Sequence, residues 1–204
     1  MLDTIYTSQG KIPGPNVLIL GGVHGNEYCG VEAIERLKDI QIESGTLRQI
    51  IANPEAVKQG KRFIDENLNR IIVENNKPKS YEARIAQHLL PHLRWADYCL
   101  DVHASNSPIT VPFIIGKDAE LASTVPIDLV VTNMTDYYPD STVGYAVRHG
   151  ARSIAIEGGY VADSLSTDIA VVSIQNFLIR SGIISGEIQT VSQRRLEIFH
   201  QYHN

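Results

Sequence analysis

The sequence predicts an α/β fold: a single three-layer domain over residues 1–204, its mixed, mostly parallel sheet flanked by helices. Two observations carry this reading. Short β-type runs alternate along the chain with segments whose apolar residues recur at helical spacing. A hydrophobic fraction of 43% beside 20% charged residues is ordinary for a globular chain of a size that buries one substantial core.

The first strand is read from Val17, Leu18, Ile19 and Leu20, a run broken by Gly21 and Gly22. Beyond Gly25 the pattern changes: Val31, Ile34 and Leu37 predict a helix over 26–40. Residues 46–52 read as a second buried strand, and Asn53-Pro54 as a turn. The stretch 58–72 is mostly polar with no sustained period, which predicts a loop carrying side chains toward a site. Ala83, Ala86, Leu89 and Leu90 predict a helix from Ser80, its N-cap, to Pro91, its breaker. Further strands are predicted at 96–103, 111–116, 128–132 and 153–158, and helices at 117–124, 142–149 and 164–181. After Gly182 two readings stand, a short strand plus a terminal helix or a partly mobile end.

Charge and composition narrow the function classes. A net charge of −5 argues against general binding to nucleic acid or anionic membranes, which both need a basic surface. No run of apolar residues is long enough for a spanning helix. The opening "MLDTIYTSQGK" has neither a basic region nor a long apolar core, so no secretory signal is expected. Cys29 and Cys99 form no CxxC pair and no disulfide framework, which makes a reduced, cytoplasmic setting the simplest expectation.

Three predicted strands end in reactive groups: His24 with Glu27, Asp101 with His103, and Glu157. Strand carboxyl ends line a shared crevice in open α/β sheets. An imidazole–carboxylate–imidazole set there suits one zinc ion per chain, with a position left for water. Glu157, not itself a ligand, would then serve as general base. Ordinary readings stand beside these. An isolated His-x-x-Glu is a weak signal, and Glu27 also reads as an acidic first-turn residue favoured by the helix dipole. His103 also reads as a hydrogen-bonded core or rim histidine. Asp101 faces the same side as His103, and either orients its imidazole or pairs elsewhere. His88 and His92, separated by the expected break at Pro91, read as surface residues, and the terminal His200–His203 stretch as incidental. Cys29 reads as a buried, inert thiol. Tyr137, Tyr138 and Tyr160 read either as pocket lining or as ordinary packing.

"GGVHGNE", "NPEAVKQGKRFIDENLNR", "LDVHAS" and "IEGG", in this order over about residues 17 to 159, resemble the succinylglutamate desuccinylase/aspartoacylase family of the zinc carboxypeptidase superfamily. The resemblance implies a zinc-carboxypeptidase-like fold with His24, Glu27 and His103 as zinc ligands and Glu157 as the carboxylate promoting attack by water. It further implies that Arg62 stabilises the tetrahedral oxyanion and that Asn69 and Arg70 hold the substrate's free carboxylate. Asn53 matches a supporting turn residue. The expected activity is zinc-dependent hydrolysis of an amide bond in an N-acyl amino acid or related carboxylate-bearing molecule. Two alternatives are a small carboxypeptidase acting on peptide C-termini and an inactive zinc-site protein that binds carboxylates. Intact Glu157 and Arg62 argue against the second. Many members of that family continue into a C-terminal β-rich domain that narrows the entrance. The short stretch after Glu157 predicts a form without it, with a more open mouth.

Overall fold

The computed structural model describes residues 5–75, 77–188 and 191–198. Along the chain the elements are β1 (Ile5–Gln9), β2 (Ile12–Gly21), α1 (Tyr28–Leu37), β3 (Ser44–Ile51) and α2 (Pro54–Gln59). A 3₁₀ turn, Leu68–Arg70, precedes α3 (Tyr81–Trp95), β4 (Tyr98–Ser105), β5 (Phe113–Ile115) and α4 (Ala119–Ala122). Then follow β6 (Leu129–Val131), α5 (Met134–Tyr137), α6 (Thr142–Arg148), β7 (Arg152–Tyr160), α7 (Leu165–Arg180) and β8 (Arg194–Leu196).

The eight strands form one sheet in the order β1-β3-β2-β4-β7-β5-β6-β8. It is mixed and mostly parallel, as expected; the antiparallel pairs are β1 with β3 and β5 with β7. Strand alternation divides the core between the two faces. Val17, Ile19, Leu100, Val102, Ile154 and Ile156 pack beneath α1 and α7, with Cys29, Ile34, Ile174 and Phe177. Leu18, Leu20 and Cys99 face the other way, against Ile85, Leu89 and Leu93 of α3 and Tyr145 of α6. Burying each such large side chain contributes about 1.5–3 kcal/mol before the entropy of ordering is subtracted.

The chain departs from the sequence reading in instructive places. Helix α3 runs through Pro91 to Trp95 instead of ending there. Pro91 is itself exposed, and the helix gives up the hydrogen bond that its ring denies to the Gln87 carbonyl. Leu93, fully buried two residues later, keeps the helix on the core. The turn at Asn53-Pro54 is the start of α2, with Pro54 in its first turn. Strand β1 and helix α5 escaped the periodicity because each is only four or five residues long. Beyond Gly182 the short strand is present as β8. The expected terminal helix and the His200–His203 stretch lie outside the described residues. No helix among the described residues is long and apolar enough to cross a membrane.

Topology places the crevice. From β2 the chain turns to β3 on one side, and later to β4 on the other. The carboxyl ends of β2 and β4 therefore flank a switch point, where ligands bind in open α/β sheets.

Candidate metal centre and active site

His24 leaves the end of β2 on a turn that needs glycine. Gly22 takes a positive φ of 64°, and a side chain at Gly25 would collide with the backbone of Ala56 in α2. Glu27 directly precedes α1. His103 comes from β4, and lies in register with Glu157 on the adjacent parallel strand β7. Both point to the α3–α6 face, as does Asp101, two residues before His103.

His24, Glu27 and His103 converge, their ligand atoms all within 4.8 Å of one another and every residue buried. The Nδ1 atoms of His24 and His103 lie 2.9 Å from Oε1 and Oε2 of Glu27, respectively. The outer ring nitrogens are held elsewhere: His24 Nε2 is 3.0 Å from Asn67 Oδ1, and His103 Nε2 is 2.8 Å from Asp101 Oδ2. Both of these partners are acceptors, so with a metal bound each Nε2 would keep its proton and each Nδ1 would turn its lone pair inward, whereas without one His103 Nδ1 donates to Glu27. The buried Nδ1 of His24 has no hydrogen-bond partner despite its closeness to Glu27. Two inward lone pairs, a carboxylate between them and anchored outer nitrogens are what a zinc ion with an open position requires. The donor set fits the metal.

The electrostatics follow from crowding. Burial would raise the Glu27 carboxyl, but hydrogen bonds and charge from His103 and His24 hold it well below the usual range. Burial lowers the pKa of His24, and the nearby charge of His103 adds to this, against the opposing pull of Glu27. For His103 burial acts the same way, yet Asp101 and Glu27 overcome it and raise its pKa. Glu157 is pushed up to about 7, chiefly by burial, with the Glu27 and Asp101 carboxylates adding to it against His103 and Arg62. The Cys29 thiol is pushed up to about 12 by burial and the Glu27 charge, in keeping with an inert side chain.

The polar stretch 58–72 closes over this centre. The Arg62 guanidinium donates to Glu27 Oε1 at 2.6 Å. Asn69 Oδ1 accepts from the Thr142 backbone at 2.9 Å, and the Thr142 hydroxyl sits between that oxygen and Asp101 Oδ2. The Arg70 guanidinium lies 3.9 Å above the Tyr138 ring and donates to the Asn69 carbonyl at 2.7 Å. Arg62, Asn69, Arg70, His24, His103 and Glu157 line one cavity, whose wall also holds Met134, Tyr138 and Val143. A second opening, toward Ser105–Ser107 and Thr110, shares Arg62 and Glu157 and includes Glu27. The sequence-selected site residues are thus brought together around one crevice.

Of the remaining candidates, Tyr138 lines the cavity, while Tyr160 is not among its lining residues. His88 is exposed and His92 is half-buried, 3.1 Å from Arg48. Sequence reasoning missed three residues: Asn67, Thr142 and Glu82. Asn67 and Thr142 carry no pattern of their own. Glu82 had one, because with Ala86, Leu89 and Leu93 it falls on the buried stripe of α3, where a carboxylate is out of place.

A mixed α/β sheet with a two-histidine, one-carboxylate centre at its switch point defines the class. The succinylglutamate desuccinylase/aspartoacylase catalytic domain matches residues 13–173, and the chain belongs to that family. A probable aspartoacylase from Nostoc sp. is 30% identical over 114 residues, covering 50% of this chain and 39% of that protein. An N-acyl-aromatic-L-amino acid amidohydrolase (carboxylate-forming) from Xenopus tropicalis is 28% identical over 120 residues, covering 52% and 39%. The crystal structure of a succinylglutamate desuccinylase/aspartoacylase from Rhodobacter sphaeroides superposes with a TM-score of 0.80 at 21% identity, covering 96% of this chain and 66% of that one. That likeness establishes the fold. The matched segments span about two fifths of the length of these two relatives.

Proposed function

We propose that this chain carries the catalytic centre of a zinc-dependent amide hydrolase acting on an N-acyl amino acid or a related carboxylate-bearing molecule. The observation that carries the reading is the convergence of a metal-competent triad, the half-buried Glu157 carboxylate and two arginines on one crevice. His24, Glu27 and His103 would hold the metal. When bound, zinc supplies a water of lowered pKa, about 7, and polarises the carbonyl. Glu157 accepts the proton of the attacking water and returns it to the departing nitrogen. Burial and the neighbouring carboxylates raise its pKa, which favours taking up that proton. Arg62 donates to the carbonyl oxygen as negative charge develops on it. Its contact with Glu27 Oε1 keeps the guanidinium beside the centre until substrate arrives. Arg70 presents a planar fork to the substrate carboxylate, with Asn69 adding a hydrogen bond.

The names borne by the relatives, aspartoacylase and amidohydrolase, support an acylated amino acid as the substrate class. The test joins metal analysis of the purified protein to a turnover screen of N-acyl amino acids and dipeptides. The reading expects one zinc per chain and turnover of at least one N-acyl amino acid that a chelator abolishes. Hydrolysis confined to dipeptides would select the carboxypeptidase alternative. Stoichiometric zinc with no turnover of either class would select the carboxylate-binding one.

A further inference from the structure

Glu82 is fully buried, yet no arginine or lysine pairs with it among the described residues. Its carboxylate is instead wrapped by backbone. Oε1 accepts the Ile64 N–H at 2.6 Å and the Asn53 amide at 3.2 Å; Oε2 accepts the N–H groups of Asp65 at 2.9 Å and Glu66 at 3.2 Å. Three successive N–H groups turned toward one anion fix the backbone of the loop at that point. The grip is reciprocal, because Asp65 Oδ2 accepts the Tyr81 N–H at 2.7 Å and Glu66 accepts the Ser80 hydroxyl at the start of α3. On one side of this clamp lies Arg62, whose carbonyl accepts the Gly25 N–H at 3.2 Å in the turn that carries His24. On the other side lie Asn67, which holds His24 Nε2, and then Asn69 and Arg70.

We propose that Glu82 is a positioning residue that sets the Asn67–Arg70 segment over the crevice, so that the arm gripping the substrate carboxylate depends on a carboxylate that never touches substrate. The physical reason is that the segment 62–67 has no fully buried apolar side chain of its own, and a buried charge satisfied by three of its backbone N–H groups and the Asn53 amide holds one conformation of them. The inference rests on the assignment of Arg70 to the substrate carboxylate, and its test separates the two.

Glu82→Gln keeps the shape of the side chain but turns one acceptor oxygen into a donor facing an N–H. The experiment measures kcat and KM for an N-acyl amino acid and its methyl ester in wild type, E82Q, R70A and the double variant, with zinc content of each. Displacement of the arm by about an ångström corresponds to a loss on the order of 10²-fold in kcat/KM for the free carboxylate. The loss should fall mainly on KM, be much smaller for the ester, and leave zinc near stoichiometric. In the double variant it should be little larger than in R70A alone, since both act through the same contact. Losses that simply multiply, or equal losses on acid and ester, would make Glu82 a general stability residue and overturn the inference. A wild-type preference for the acid that R70A does not reduce would instead overturn the assignment of Arg70. If E82Q does not fold, Asn53→Ala removes one donor to the same carboxylate and should show the same acid-over-ester loss at smaller amplitude. Its absence would also overturn the inference.

Discussion

The two halves of the crevice are held in different ways. His103 and Glu157 stand in register on neighbouring parallel strands, with a ladder of backbone hydrogen bonds and a core on either face. Arg62, Asn69 and Arg70 stand on a loop whose regular element is a three-residue 3₁₀ turn, tied down by the buried Glu82 carboxylate, a few polar contacts and the fully buried Leu68. Strand-end groups inherit their spacing from the sheet and are almost as stable as the fold. Loop groups depend on a small polar network that one substitution can loosen. Under the proposed function, damage to the first half should remove metal or chemistry, and damage at Asn69 or Arg70 in the second should remove substrate affinity.

The largest effect is expected from His103→Ala. It should strip the zinc and bring turnover to background while far-UV circular dichroism stays near wild type, because the site lies at a strand end. Stoichiometric zinc in this variant would refute the ligand assignment. Next in size is Glu157→Gln, which should retain the metal and lower kcat by about 10²–10⁴-fold, since an amide cannot take the proton. A near-normal kcat would remove Glu157 from the chemistry.

In the loop half, Arg70→Ala should cost about 2–4 kcal/mol of transition-state binding for a substrate with a free carboxylate. Arg70→Lys should recover only part of this, because an ammonium cannot reproduce the bidentate fork. Full recovery by lysine would reduce the contact to simple charge attraction. Tyr138→Leu removes the ring beneath that guanidinium and should weaken KM by a few-fold, the worth of about 1 kcal/mol for a cation–π contact at a partly exposed site. An unchanged KM would show that Arg70 is oriented by the Asn69 carbonyl alone.

The smallest effect is one of pH. Burial would raise the Glu82 carboxyl, but the N–H groups of Ile64 and Asp65, the Asn53 amide and the Glu66 N–H outweigh it and hold its pKa below the ordinary 4.5. A depressed carboxyl stabilises the fold fully above its unfolded value, and that stabilisation is lost as pH falls through the folded one. Urea midpoints should therefore fall less steeply from about pH 5 to pH 3 in E82Q than in wild type. Parallel pH profiles would mean that Glu82 keeps the same affinity for its proton when the loop unfolds.

What the sequence determined by itself was the class of fold and the polar groups that the fold gathers at the candidate site. Runs such as Val17–Leu20 and the residues around Val102 and Ile154 are apolar enough that only burial between helical layers satisfies them, and a local pattern records this directly. His24, Glu27, His103 and Glu157 announce themselves because each is a polar residue at the end or edge of such a run. The tertiary structure decided what no local pattern encodes. The helix continues past Pro91 because Leu93 has a place in the core while Pro91 itself lies exposed. Asp101 orients the imidazole of His103 because strand alternation sets both on one face and α6 brings Thr142 against them. Glu82 holds the loop because α3 carries it to three N–H groups 16 to 18 residues earlier in the chain. A hydrogen bond across such a separation leaves no periodicity behind, and only the packed fold brings its donor and acceptor within reach.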